Sequence, residues 1–310
     1  MKLIKPKFWD KKEKNFISLL LFPISLITLL IVFFKKLLSK KIKFNIPVIC
    51  VGNIYVGGTG KTPAAIFLAN ELSKLGLNPV ILRKFYRNHN DEYSQIRSNY
   101  KNLIITKNRI DGIKKAEKNG NNIVILDDGL QDYKIEKDLC ISCFHQNQLV
   151  GNGLILPAGP LRENISALKK IQIVLINGDK CSDFEKKLKI INKDLEIYYL
   201  NYKPLNIENF KGHKLLAFAA IGNPENFFQL LNNNGLIIKK KLVYPDHYEF
   251  TKDEIQKIID EADHQNLKII TTEKDFFKIN NFNLPEINFL KVSLEFVEKE
   301  KFINRIQKII

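Results

Sequence analysis

The sequence predicts an α/β protein with a mainly parallel sheet, preceded by an apolar helix, and three observations predict it. After Lys43, short apolar runs of strand length alternate with amphipathic stretches of helical period, the pattern of right-handed βαβ crossovers. The first such run, Ile46 to Val51, ends in a glycine-rich turn followed by Lys61-Thr62 and a helical pattern. Ahead of it, the stretch from Phe16 to Phe34 carries no charge.

That first stretch is a run of Ile, Leu, Phe and Val broken by Pro23, Ser25 and Thr28, close to the ~20 residues that span a bilayer. Lys2, Lys5, Lys7, Lys11, Lys12 and Lys14 precede it; Lys35, Lys36, Lys40, Lys41 and Lys43 follow. The apolar core is too long for a secretory signal, and no small-residue cleavage site follows. The basic segment after it places the following chain in the cytoplasm by the positive-inside rule. Lysines on both flanks and Trp9 also suit a helix lying in the interface, so membrane attachment is expected and spanning stays open.

Residues 51–63, Val-Gly-Asn-Ile-Tyr-Val-Gly-Gly-Thr-Gly-Lys-Thr-Pro, are the most informative in the chain. Strand, glycine turn, Lys-Thr and helix is the context of a phosphate-binding loop. Gly57, Gly58 and Gly60 let successive N–H groups turn inward as an anion nest, with Val56 and Thr59 in the same turn. The helix from Thr62 aims its positive end at the phosphates. Lys61 then reaches the β- and γ-phosphates and the Thr62 hydroxyl ligates Mg²⁺. Tyr55 stands where such loops usually carry their first glycine.

Downstream, strands are expected at 47–51, 79–82, 103–106, 123–126, 139–144, 171–176, 214–219, 236–242, 267–271 and 287–292. Helices are expected at 62–75, 109–118, 224–233, 252–263 and 297–309. Ile123 to Leu126 reads as a buried strand delivering Asp127 and Asp128 to the carboxyl edge of the sheet, where open α/β sheets bind ligands. Either acid is placed to hold Mg²⁺. Thr271-Thr272-Glu273-Lys274-Asp275 approaches a guanine signature, but its lysine is adjacent to the aspartate, so ATP is the expected nucleotide. A loose boundary falls around 200–212.

Composition bounds the partners. The 310 residues allow one large or two modest domains. The net charge of +16, from 49 basic and 33 acidic residues, favours anionic partners. No basic stretch interleaved with stacking aromatics marks a nucleic-acid module. Cys50, Cys140, Cys143 and Cys181 form no disulfide framework, and Cys140 and Cys143 face opposite sides of a strand. His89, His145, His213 and His264 show no metal or triad spacing and read as structural or surface residues.

With these motifs, Leu156-Pro-Ala-Gly-Pro-Leu-Arg-Glu163, Ala220-Ile-Gly-Asn-Pro-Glu-Asn-Phe-Phe228 and Tyr244-Pro-Asp-His247 follow in order. The set resembles the tetraacyldisaccharide 4′-kinase (lipid A 4′-kinase) family from end to end. The resemblance implies transfer of the ATP γ-phosphoryl to the 4′-hydroxyl of an acylated glucosamine disaccharide at the cytoplasmic face of the bacterial inner membrane. It also implies a membrane helix (1–43), a phosphate-loop NTPase-like core (44–205) and a smaller α/β domain (206–310) closing over the nucleotide. Carried over, Lys61 and Thr62 contact nucleotide and Mg²⁺, Asp127 and Asp128 are the acids near the metal, and Arg162 and Glu163 line the site, with Glu163 also a metal ligand. The family's base, an Asp in Gly-Asp-Glu-Pro assisted by the His of Asp-His, matches Asp91 in Asn90-Asp91-Glu92-Tyr93 and His247. Asp91 is expected in a polar loop, and Asp132 follows Gln131 where the family usually carries His. Substrate and membrane lipids are the expected partners, with no nucleic acid and no obligate protein partner. The rival reading is a membrane-tethered nucleotide-hydrolysing switch; such ATPases carry a signature lysine where this chain has Val56.

Overall fold

The computed structural model describes residues 5–310 apart from 12, 14 and 88. Of the residues singled out above, Lys2, Lys12 and Lys14 of the basic flank lie outside it, as does Asn88 of the polar loop. In chain order the elements are α1 (Phe16–Leu37), β1 (Val48–Gly52), α2 (Lys61–Lys74), β2 (Pro79–Lys84), α3 (Asn90–Asn99), β3 (Leu103–Thr106) and α4 (Arg109–Lys118). Next come β4 (Ile123–Asp127), β5 (Leu139–His145), β6 (Ile173–Asn177), α5 (Ser182–Ile191), β7 (Glu196–Pro204), β8 (Lys214–Ala219) and α6 (Pro224–Asn233). The chain ends with β9 (Ile237–Val243), α7 (Lys252–His264), β10 (Lys268–Thr272), α8 (Glu273–Ile279), β11 (Ile287–Leu290), β12 (Val292–Phe296) and α9 (Lys299–Gln307).

Two compact units result, a larger one (Pro6–Phe85, Tyr100–Asn201, Leu294–Ile310) and a smaller one (Tyr86–Asn99, Tyr202–Ser293). They depart from the expected 44–205 and 206–310 division in two places. Residues 86–99 belong to the smaller unit, because α3 is tied to α8 by Gln95 and Asn99, whose side-chain amides donate to the Glu273 carboxylate. The C-terminal α9 returns to the larger unit, burying Phe302 and Ile306 and stacking Phe302 on Phe296.

The larger unit carries the sheet β12-β7-β6-β5-β1-β4-β2-β3, with every pairing from β7 to β3 parallel. Its central strands β1 and β4 are buried along their whole length, as near-continuous apolar runs covered on both faces should be. The fold class is as expected, an α/β protein with mainly parallel sheets and an apolar N-terminal helix. The smaller unit has its own parallel sheet, β11-β10-β8-β9, with a core that includes Phe218, Phe250 and Ile255.

Helix α1 starts with a reciprocal cap: the Asn15 side chain accepts from the Ser18 N–H, and the Asn15 N–H donates to Ser18 Oγ. It is long and apolar enough to cross a membrane, and 11% of its most apolar window is buried by protein. Its seat within the larger unit is polar. Ser25 Oγ donates to Ile155 O at 2.8 Å and accepts from Ala158 N at 3.0 Å. Just upstream, Trp9 Nε1 donates to Pro157 O at 3.1 Å.

Five elements escape the expected set: α3, α5, α8, β7 and β12. In α3, only Tyr93 and Ile96 among ten residues are large and apolar, and the helix also buries a carboxylate, Asp91.

Candidate active site

In the larger unit the site grows from two neighbouring strand ends. β1 and β4 pair in parallel with Val51 opposite Asp127, so the glycine turn and the acid turn leave the same edge side by side. Gly57 (φ 117°) and Gly60 (φ 86°) hold backbone conformations that disfavour any side chain, and α2 starts directly after Gly60. Thr59 is buried and its hydroxyl accepts from Asn53 Nδ2 at 2.7 Å, bracing the turn from below. The Val56 N–H is not part of the nest, because it donates to Pro160 O at 2.8 Å. Tyr55, in the place of the usual glycine, is fully buried, and its hydroxyl donates to Asp10.

Asp127 is completely buried. Its Oδ2 accepts from Thr62 Oγ1 at 3.0 Å and from Arg83 Nη1 of β2, which also donates to Thr62 Oγ1 at 3.2 Å. Its other oxygen, Oδ1, is buried with no hydrogen-bond partner among the described residues. Arg83 was not among the expected site residues; its signal is a guanidinium ending the apolar run Val80-Ile81-Leu82. Asp128 takes a left-handed backbone (φ 59°), with its N–H on Val51 O and its carbonyl on Arg109 Nη2 at 2.7 Å. That turn aims its carboxylate at Arg162 Nη1 (2.8 and 3.0 Å) and Lys61 Nζ (3.8 Å). Burial alone pushes the Asp128 carboxyl up, but Lys61 and Arg162 outweigh it and bring it down to about 2. For Lys61, burial is the larger effect and lowers the ammonium pKa despite Asp128.

The donors suit a magnesium ion. A hydroxyl and two carboxylates are hard oxygen ligands, and the unpartnered Asp127 Oδ1 is an acceptor awaiting a cation. Glu163, expected in that set, has both oxygens engaged by neighbouring side chains. One of its oxygens takes the Lys36 ammonium at 2.5 Å and the other the Gln131 amide at 2.9 Å.

The smaller unit holds a separate cluster. Asp91 lies in the first turn of α3, not in a loop, and its side chain is 2% exposed. His247 Nδ1 approaches Asp91 Oδ2 at 3.5 Å, long for a full hydrogen bond. Lys274 and Lys278 each stand 3.8 Å from the same oxygen. Lys274 also reaches Asp246 (3.2 Å) and Glu92 (3.3 Å). Burial pushes the Asp91 carboxyl up, but His247, Lys274 and Lys278 outweigh it and hold it below the usual range. His247 itself has φ 56°, a strained value for a residue with a side chain, and its N–H donates to the Asp246 carboxylate. Lys274 of Thr-Thr-Glu-Lys-Asp and Lys278, one helical turn later, were missed because only the fold, and no spacing, brings them to Asp91.

His89, expected to be a bystander, lies over His247 with ring centroids 4.2 Å apart, and its Nδ1 is 2.8 Å from Glu92. The three residues bring ligand atoms within 4.8 Å of one another. The rings are only 30° from parallel, so their lone pairs do not converge on one ion. His145 is buried, and that burial lowers its pKa to about 4, so it stays neutral. Burial raises the Cys143 thiol to about 12 and raises Cys140 as well, which leaves the pair unsuited to redox work.

Comparison with known proteins identifies the family. The family model described as "LpxK: Tetraacyldisaccharide-1-P 4'-kinase" matches residues 17–102 and 91–310. A tetraacyldisaccharide 4'-kinase of Pelagibacter ubique (strain HTCC1062) is 43% identical across 100% of this chain and 99% of its own. That of Francisella tularensis subsp. novicida (strain U112) is 32% identical, covering 93% of this chain and 98% of its own. In fold, the chain is similar to LpxK from Aquifex aeolicus solved in complex with ATP: TM-score 0.71 at 23% identity, over 94% of this chain and 99% of that one. The chain belongs to the tetraacyldisaccharide 4'-kinase family.

Proposed function

We propose that this kinase transfers the γ-phosphoryl group of ATP to the 4′-hydroxyl of an acylated glucosamine disaccharide, a lipid A precursor, at the cytoplasmic face of a bacterial inner membrane. The observation that carries it is the pairing of β1 with β4, which sets the glycine turn and Lys61 beside Asp127 and Asp128. Lys61 offsets the charge that develops on the transferring group, and the N–H groups from Gly57 to Lys61 hold the phosphates. Thr62, Asp127 and Asp128 would hold Mg²⁺, which supplies charge neutralisation across the β- and γ-phosphates. Arg162 orients Asp128.

A sugar hydroxyl is a poor nucleophile and gains from a carboxylate that accepts its proton as the new bond forms. Asp91 fits that role, kept ionised by the cations around it, with His247 orienting it. The exposed apolar side chains of α1 and the lysines after it suit a substrate held in an anionic membrane. The test is a thin-layer assay with γ-labelled ATP. Label on the acylated disaccharide is the expected result. Release of label only as free phosphate would replace the kinase by a nucleotide-driven switch.

A further inference from the structure

Glu163 is a carboxylate almost sealed from water: its side chain is 5% exposed. A charge so placed needs a compensating cation, because an unpaired buried ion is strongly destabilising. The cation comes from the last turn of the membrane helix. Lys36 Nζ sits 2.5 Å from Glu163 Oε2 and 5.2 Å from the centroid of the Tyr133 ring, within cation–π range.

The contact does not end there. Glu163 Oε1 accepts from Gln131 Nε2 at 2.9 Å, and Gln131 Oε1 accepts from Arg162 Nη1 at 3.3 Å. The same Arg162 nitrogen donates to both oxygens of Asp128, which in turn faces Lys61. An unbroken polar chain, Lys36–Glu163–Gln131–Arg162–Asp128–Lys61, therefore runs from the membrane helix to the phosphate-loop lysine. Backbone contacts follow the same route. Arg162 N donates to Ile54 O at 2.7 Å and Val56 N to Pro160 O at 2.8 Å, so the segment carrying Glu163 is stitched to the phosphate loop.

We propose that Lys36 is a positioning residue for the phosphoryl-transfer site: the membrane helix supplies the cation that holds Glu163, and through Gln131 and Arg162 that cation sets the aim of Asp128. Without Lys36, the cation left on this chain of contacts next to Gln131 is Arg162, the residue preceding Glu163. An Arg162 drawn to Glu163 leaves Asp128, and Asp128 then collapses onto Lys61. The helix is in this way part of the catalytic scaffold as well as an anchor. Ser25, seated on Ile155 and Ala158, holds the helix without touching the chain of charges, and so provides the control.

This inference rests on the kinase reading above for its activity readout. The experiment uses the full-length protein in detergent with a dispersed acylated disaccharide, so that membrane attachment is not being measured. Lys36→Met should lower kcat about tenfold with the KM for the disaccharide unchanged, since misplacement of a supporting group acts on the transition state. Lys36→Arg should recover to within about threefold of the parent, because a cation is restored. Glu163→Gln with Lys36→Met should be no worse than Glu163→Gln alone, the non-additivity expected of one linked unit. Ser25→Ala should leave kcat within about twofold while lowering the unfolding midpoint, because only the two hydrogen bonds to Ile155 and Ala158 are lost. If Lys36→Met does not fold, Lys36→Gln is read in its place. A Lys36→Met (or Lys36→Gln) variant with the parental kcat, or an equal loss for Ser25→Ala, overturns the proposal. A parent protein that labels no disaccharide overturns the kinase reading instead. MgATP titration calorimetry then decides the coupling: Lys36→Met must weaken affinity about threefold, and unchanged affinity sinks it.

Discussion

The phosphate loop of the larger unit and the acid–histidine–lysine cluster of the smaller one are built on opposite terms. In the first, backbone sets the geometry: two buried parallel strands end in register, two glycines adopt left-handed conformations, and Arg109 clamps the carbonyls of the acid turn. In the second, Asp91 is held by side chains from separate elements, and the only backbone singularity is His247 at φ 56°. A backbone-built site fails all at once when its charge is removed. A site held by several cations should fail by degrees.

The largest effect expected is therefore at Lys61. Lys61→Ala should lower kcat by about a thousandfold, since it removes a preorganised charge from the developing transition state. A folded variant with near-parental activity would end the phosphate-loop assignment. Asp127→Ala belongs to the same side but acts first on stability. It removes the carboxylate paired with the buried Arg83, a change that costs about 3–5 kcal/mol when one partner of a buried pair is lost. Denaturant unfolding measures it; a loss under 1 kcal/mol would mean that Arg83 finds another partner.

The smaller unit should give way more gradually. Asp91→Asn keeps shape but removes the basic oxygen, so kcat falls while the KM for ATP hardly moves. His247→Ala should cost about 10- to 100-fold, the size of a positioning effect. The double variant should be scarcely worse than Asp91→Asn. Strictly multiplicative losses would separate the two residues, and an active Asp91→Asn would turn the search for the base to Asp128 or Asp246.

These two sites were also unequally legible in the sequence. The glycine turn, Lys61-Thr62 and the Asp127-Asp128 strand end are local, and local spacing dictates their geometry. Most strands of both sheets were legible for the same reason, as apolar runs. Helix α3 was not, because only Tyr93 and Ile96 of its ten residues are large, apolar and buried, too few to mark a periodic stripe, and its third buried side chain is the Asp91 carboxylate. Nor were Arg83, Lys36 and Lys274, whose partners lie 44, 127 and 183 positions away for Asp127, Glu163 and Asp91 (127−83, 163−36, 274−91). Charges that meet only through the fold leave no spacing to read.

Acid sharpens the contrast at a smaller scale. Asp128 titrates near 2 when folded against 3.8 for the free side chain, so its pairing stabilises the fold above about pH 4. That contribution, about 2 kcal/mol, is lost as pH falls from 4 to 2. Asp128→Asn should flatten this part of the stability curve; an unchanged acid limb would show that Arg162 and Lys61 do not hold the carboxylate.

The smallest effect expected is the most specific to the smaller unit. Lys274 is one of the cations that hold the Asp91 carboxyl low. A base works only when deprotonated, so kcat/KM should fall on the acid side as pH drops through the Asp91 pKa. Lys274→Met removes a stabilising charge 3.8 Å from the carboxylate and raises that pKa. The acid limb should then move to higher pH. The plateau should change far less, because Lys278 and His247 keep the carboxylate in place. A limb that stays put while the plateau drops would make Lys274 a contact for substrate and remove it from the tuning of Asp91. A limb that moves in Lys274→Met and is absent in Asp91→Asn would identify Asp91 as the group being tuned.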